Sequence, residues 1–206
     1  PALEEEMLST AEEILAVPNT PDMWRLQIWC DAQDTLRQNI LSRRGFIKGD
    51  QPEYQRRRSM DLAIPNAKLA PGYTIRAMGD IEEHPQRSLV SWRAFHPDET
   101  DDAYQGWKWY INVQNAPLYR RDLDIVVEAP SGEFAAFCTV WFDDMTRTGV
   151  FEPVGTAPAY QRQGLGKAIL CEGLRRVKQI GATLAYVGSY SERAGALYAS
   201  VGFTEY

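Results

Sequence analysis

The chain has 206 residues, a net charge of −6 and 44% hydrophobic residues, enough apolar material for one large domain or two small ones. This balance excludes a disordered or fibrous chain and argues against a nucleic-acid partner, which calls for a basic stripe to neutralise phosphates. Three widely spaced cysteines, Cys30, Cys138 and Cys171, give neither a disulfide framework nor a Cys-x-x-Cys pair; only His84 and His96 could join them, and no metal site is expected.

Residues 3–16 predict an amphipathic helix with Leu3, Met7, Ala11 and Ile14 on one face, broken by Pro18 and Pro21. Residues 25–30 alternate as a strand does. Asp31 is then placed to cap a helix carrying Leu36, Ile40 and Leu41, which Gly45 ends. Residues 54–64 predict another strand, within which the basic run Arg56-Arg57-Arg58, like Arg120-Arg121 and Arg175-Arg176, reads as solvated surface. The stretch 65–72, with Pro65, Pro71 and Gly72, is the best linker, dividing the chain into residues 1–70 and 73–206.

From Tyr73 the pattern is new. A strand at 73–78 precedes a helix at 80–95, in which Ile81, Leu89, Trp92 and Phe95 are available for packing, and a second helix at 100–114. Two β-rich runs, 124–129 and 134–142, flank the turn Pro130-Ser131-Gly132 and predict a hairpin. A second turn at 143–149 leads to a strand at 150–156, a helix at 164–180, a strand at 182–188 and a short helix at 192–200. The order predicts a mixed α/β fold with a mainly antiparallel sheet and a parallel βαβ unit behind it. No apolar run approaches membrane-spanning length and no basic-then-apolar segment opens the chain, so a cytoplasmic setting without a membrane partner is expected.

The most informative stretch joins the strand at 150–156 to the helix at 164–180 through a polar loop with Gly164 and Gly166. The first turn of a helix has backbone N–H groups without intrahelical partners, and a glycine-rich entry lets a phosphate approach them. Arg162 and Lys167 add charge-assisted contacts. The loop therefore predicts a phosphate or pyrophosphate site. The P-loop spacing is absent, and the third glycine of a dinucleotide fingerprint is missing.

The run Gln161-Arg162-Gln163-Gly164-Leu165-Gly166 resembles the Gln/Arg-x-x-Gly-x-Gly/Ala signature of GNAT acyltransferases. About thirty residues on, Ser191-Glu192-Arg193-Ala194-Gly195-Ala196-Leu197-Tyr198-Ala199-Ser200-Val201-Gly202-Phe203 resembles the family's second signature, Asn-x-x-Ala-x-x-Leu-Tyr-x-x-x-Gly-Phe. The resemblance covers residues 73–206 and implies the acyl-CoA N-acyltransferase fold, with acetyl-CoA as cosubstrate and no metal. It implies that backbone groups around Val154, Gly155 and Thr156 hold the pantetheine arm, and that Gln161, Arg162, Gln163, Gly164, Leu165, Gly166 and Lys167 cradle the pyrophosphate. Tyr198 is the implied general acid, and Ser191 stands where the family has an asparagine, able to make one hydrogen bond or to cap the helix. Strict alternation puts Glu152 on the face of Val154 and Thr156, which makes it the candidate base. The resemblance implies acetyl transfer to a primary amine of a small molecule or peptide by direct attack. The alternatives are a non-catalytic coenzyme A-binding module and a longer-acyl transferase.

Two departures from the pattern stand out. The chain stops three residues after Phe203, where the family has one more strand, so either residues are missing, or something else completes the sheet edge, with pairing to a second copy as a homodimer a further option. Residues 1–70 repeat the helix, strand, helix, Arg44-Gly45-Phe46, strand order of 164–206, and resemble the rear half of a degenerate second domain with Leu41 in place of the acid tyrosine; the alternative is an unrelated helical extension. The aromatic residues Trp92, Phe95, Trp107, Trp109 and Tyr110 are either core or one wall of an acceptor pocket.

Overall fold

The computed structural model describes residues 2–20 and 23–206, so Pro21 as a helix breaker lies outside the described residues. The chain divides into two compact units, Pro1–Gln51 and Pro52–Tyr206. The division precedes the strand at 54–59 rather than falling in the 65–72 linker.

In the first unit, helix α1 (Ala2–Leu15) is followed by strands β1 (Val17–Thr20) and β2 (Met23–Arg25), an antiparallel pair, and by helix α2 (Thr35–Arg43). The strand read at 25–30 is thus displaced toward the N-terminus and becomes one arm of a hairpin. The cap of α2 is Asp34, whose Oδ1 accepts the Arg37 N–H at 2.9 Å, while Asp31 accepts the Gln33 N–H in the turn before it. The face of α1 that the spacing picks out is exposed at Leu3, Met7 and Ile14, and the buried residue is Leu8, packed with Ile40 and Leu41. Charge explains the difference. Arg44 bonds Glu5, Ser9 and Glu12, and Arg37 pairs with Glu4, so the acidic side of α1 turns toward the basic α2.

The second unit is built on a seven-stranded sheet. In chain order its strands are β3 (Tyr54–Ser59), β4 (Thr74–Ala77), β5 (Asp124–Glu128), β6 (Phe134–Asp143), β7 (Thr148–Thr156), β8 (Leu184–Ser189) and β9 (Thr204–Glu205), and in space they run β4-β5-β6-β7-β8-β3-β9. Every pairing is antiparallel except β7 with β8, which the helix α5 (Leu165–Gln179) connects as a crossover. β6 is a near-continuous apolar run because helices cover both its faces. Ala136, Cys138, Val140 and Phe142 join the core under α5, and Phe137 joins the core under helix α3 (His84–Phe95). The residues after Phe203 do form a last strand, the short β9, which is the sheet edge, and β3 inserts from upstream between β8 and β9, antiparallel to both, so completing the sheet does not itself require a second chain.

Two predicted helices change. The first begins as a 3-10 turn at Ile81–Glu83, and α3 buries His84, Arg87, Ser88, Val90 and Ser91 while Ile81 and Phe95 stay exposed. The second, read at 100–114, is a 3-10 turn at Asp101–Ala103 and a short helix α4 (Tyr110–Gln114). Gly106, at φ 91°, stops a continuous helix between them. The last helix, α6 (Glu192–Ala199), follows β8 as expected. Among the described residues no helix is long and apolar enough to cross a membrane.

Candidate active site

The site follows from where a ladder ends. β7 and β8 pair only at Thr148–Leu184, Gly149–Ala185 and Val150–Tyr186, after which each keeps its outer neighbour and loses the other. Beyond that point Val154, Gly155 and Thr156 pair with Cys138, Phe137 and Ala136 on β6, and Val187, Gly188 and Ser189 pair with Arg56, Gln55 and Tyr54 on β3. The inner edges of the two strands face a gap in which their backbone donors and acceptors have no ladder partner.

At the end of β7 the chain enters α5. Gly164, at φ 79°, is the N-cap and offers no side chain to the helix, and the first helical bond is from the Ala168 N–H to the Gly164 carbonyl. The amides of Leu165, Gly166 and Lys167 therefore have no intrahelical acceptor and carry the positive end of the helix dipole. Arg162, at φ 65°, is also left-handed. The loop is braced by its own side chains. Gln161 Nε2 donates to the Thr156 carbonyl at 3.1 Å, Arg193 Nη2 donates to Gln161 Oε1 at 2.7 Å, and the Tyr73 hydroxyl donates to Gln163 Oε1 at 2.8 Å. Gln161 thus ties the strand, the loop and α6 together. Leu165 is buried in the core, so only its amide faces outward. Gly166 packs against α6: a Cβ there would lie 3.2 Å from Leu197 Cδ2 and 3.5 Å from Thr156 Oγ1. Gly155 answers a packing demand from the other face, where a Cβ would meet the Phe137 ring at 2.4 Å.

Alternation fails at one place in β7. Cys138 pairs with Val154 but Val140 pairs with Phe151, so Glu152 and Pro153 together stand opposite Thr139. This is a bulge, and it resets the pleat. Phe151 and Val154 both pack on the α5 side, where Thr156 Oγ1 also lies near Gly166. Glu152 therefore does not share their face as strict alternation requires; it is exposed, and its carbonyl accepts the Trp141 Nε1–H at 2.6 Å. A proline inside a strand, unable to donate to a ladder, is the signal in the sequence that could have revealed the bulge.

Tyr198, on α6, is 6% exposed, with its ring edge-on to Phe203 at 6.2 Å. Burial pushes its phenol up to about 12, with Cys138 and Glu152 adding to the rise and Arg56 opposing it. Glu152 and Tyr198 therefore lie within electrostatic reach of each other. Ser191 caps α6, its Oγ accepting the Ala194 N–H at 3.3 Å. Cys138 and Cys171 are buried thiols, and burial pushes both up, away from the thiolate form.

Behind the bulge lies a buried network that sequence reading missed. Asp124 accepts from Arg87 Nε at 3.1 Å, from Thr139 Oγ1 at 3.0 Å, from Tyr119 at 3.1 Å and from Tyr110, while Arg87 Nη2 donates to Thr139 Oγ1. Thr139 is the residue facing Glu152 and Pro153, so the network ties α3 to the sheet at the bulge. The aromatic cluster divides. Tyr110 is core, whereas the half-exposed Phe95 and Trp109 join Ser91, Trp92 and His96 around a cavity of about 270 Å³. A second cavity, of about 640 Å³, is lined among others by His84, Gln114, Tyr119 and Arg121. Tyr119 lies edge-on to Trp141, the residue that bonds Glu152.

Among the described residues no group of three or more His, Cys, Asp or Glu could hold a metal ion. Comparison with known proteins agrees with the geometry. Mycothiol acetyltransferase from Kineococcus radiotolerans is 29% identical over 189 residues, covering 87% of this chain and 58% of that protein. Mycothiol acetyltransferase from Saccharopolyspora erythraea is 25% identical over 196 residues, covering 92% of this chain and 62% of that protein. The chain thus spans about three-fifths of the length of these relatives. Among solved structures, a GCN5-related N-acetyltransferase from Sphaerobacter thermophilus superposes with a TM-score of 0.67 at 18% identity, over 85% of this chain and 54% of that one. A tandem GNAT protein from the clavulanic acid biosynthesis pathway gives 0.66 at 15% identity, over the full chain and 66% of that one. Both share the fold. The acetyltransferase (GNAT) family matches residues 81–203, which run from the turn before α3 to the end of the α6 signature. With the splayed strands, the open helix entry and both signatures inside that span, the chain belongs to the GNAT acetyltransferase family.

Proposed function

We propose that the chain transfers an acetyl group from acetyl-CoA to the primary amine of a small molecule or peptide. The observation that carries this reading is the gap between β7 and β8, with the uncapped start of α5 following the end of β7. The residues suit the cosubstrate. The free inner edge around Val154 and Thr156 can hydrogen-bond the amides of a pantetheine arm, and the amides of Leu165, Gly166 and Lys167, with Arg162 nearby, can hold a pyrophosphate. When bound, acetyl-CoA supplies an activated acetyl thioester. Glu152 takes the proton that the attacking amine loses, and Tyr198 Oη gives its proton to the departing sulfur. Neither buried cysteine is needed as a nucleophile.

The acceptor is proposed to enter on the α3 side, where the two cavities lie and where Tyr119 and Trp141 lead to Glu152. The relatives named mycothiol acetyltransferase place mycothiol-type acceptors in the first panel of amines. Residues 1–70, whose strand β3 lies in the seven-stranded sheet, are proposed as the degenerate rear half of a second domain. In support, the Phe46 N–H bonds the Leu41 carbonyl across Gly45 at φ 84°, as the Phe203 N–H bonds the Tyr198 carbonyl across Gly202 at φ 91°.

Calorimetric titration with acetyl-CoA tests the proposal. Binding in the micromolar range is expected, and Gly164→Asp should weaken it at least tenfold, because the new carboxylate stands at the helix entry and repels pyrophosphate. Absence of binding by the folded protein would refute the reading.

A further inference from the structure

The basic run Arg56-Arg57-Arg58 lies upstream of the family match, and its solvated-surface reading holds for Arg57 alone. Successive residues of β3 alternate faces. Arg56 pairs with Val187 and Arg58 with Ala185, both core residues, so the two arginines point under α6 while Arg57 points out. The Arg56 side chain is 11% exposed and Arg58 is 1% exposed.

Each arginine meets a glycine on either side of Tyr198. A Cβ on Gly195 would lie 2.7 Å from Arg56 Nη2, and one on Gly202 would lie 3.2 Å from Arg58 Nε. The missing side chains make room for the two guanidinium groups. Arg58 Nε donates to the Val201 carbonyl at 2.8 Å, and its other nitrogens donate to the carbonyls of Ser59, Leu62 and Ala63. Among the described residues it has no carboxylate partner, and it holds the turn after α6 through the Val201 carbonyl. Arg56 Nη1 donates to Ser189 Oγ at 2.5 Å and to the Tyr54 carbonyl at 3.1 Å, and Nη2 pairs with Glu205 at 3.1 Å. Gly195 is one helical turn before Tyr198 and on the same side of α6, so the Arg56 guanidinium lies along the face that carries the phenol.

We infer that Arg56 and Arg58 are positioning residues for Tyr198: they clamp α6 from beneath, and the charge of Arg56 favours release of the phenolic proton toward a nearby anion. This rests on the proposed role of Tyr198 as proton donor to sulfur. The charged and titratable groups acting on Tyr198 are Cys138 on β6, Glu152 on β7 and Arg56 on β3. Arg56 opposes the other two and is the cation among them.

The test reads the thiol of bound coenzyme A, by the ultraviolet absorbance of its thiolate as pH is raised, in the full chain. Arg56→Gln should move the midpoint up by about one pH unit. The same substitution in a Tyr198→Phe background should move it by no more than about a fifth of that. Arg56→Lys, which keeps the charge and loses the fork, should leave the midpoint near that of the unmodified protein. An unmoved midpoint in Arg56→Gln, or an equal shift in the Tyr198→Phe background, would overturn the inference while leaving the acetyltransferase reading intact. If Arg56→Gln does not fold, a full-unit shift in Arg56→Lys would assign the effect to packing and overturn it equally. Failure of the unmodified protein to bind coenzyme A would remove both the reading and the inference.

Discussion

Tyr198 holds its proton because it is buried, and burial disfavours the phenolate. That makes it a donor throughout the neutral range, able to protonate a sulfur as the thiolate forms. Tyr198→Phe keeps the ring that packs against Phe203 and removes the hydroxyl that carries the proton. It is expected to lower kcat by about a hundredfold, with acetyl-CoA affinity within about twofold, in steady-state assays paired with calorimetry. Glu83 shows the opposite electrostatics. The Arg76 guanidinium, bonded at 2.7 and 2.8 Å, and the Gly79 N–H hold its carboxyl below the usual value of 4.5. A depressed carboxyl contributes stability that is present above its unfolded pKa and is lost as pH falls through its folded pKa. Glu83→Gln should therefore destabilise the protein by about 1 kcal/mol at neutral pH, a partly screened pair, and the difference should vanish in acid, as denaturant melts across pH would show.

At the scale of elements, β3 has no counterpart in the signatures, yet it is the strand that β8 leans on along its whole length, from Leu184 to Ser189. Deletion of residues 1–51 keeps this strand, and deletion of residues 1–60 does not. The first is expected to give a folded protein that binds acetyl-CoA. The second strips β8 of its outer neighbour and α6 of both arginines, and should be unfolded by circular dichroism or unable to bind. The predicted elements from 124 onward match the structure closely because each carries its own local signal: alternating or continuous apolar runs, the Pro130-Ser131-Gly132 turn, and a glycine at either end of α5. The elements before 124 match less well. The stripe on α1 is outweighed by ion pairs with α2, and the helix read at 100–114 ignores Gly106, whose left-handed backbone ends it.

For the whole molecule, the sequence by itself determined the mixed α/β class, the order of elements in residues 124–206, the glycine-rich entry to α5 and the tyrosine-bearing helix that follows. These are properties of contiguous residues, in which spacing, turn chemistry and the free amides of a helix start act over a few positions. Only the tertiary structure decided which strand fills the slot beside β8, where the β7–β8 ladder parts, and that Arg56 and Arg58 lie against α6 and the turn after it rather than in solvent. It also decided the face of Glu152, which depends on Thr139 of the neighbouring strand standing opposite two residues, and gathered Arg87, Asp124 and Thr139 into one network. Each of these joins residues far apart along the chain, so the burial and pairing that fix them arise only once the sheet has closed, and no local pattern encodes them.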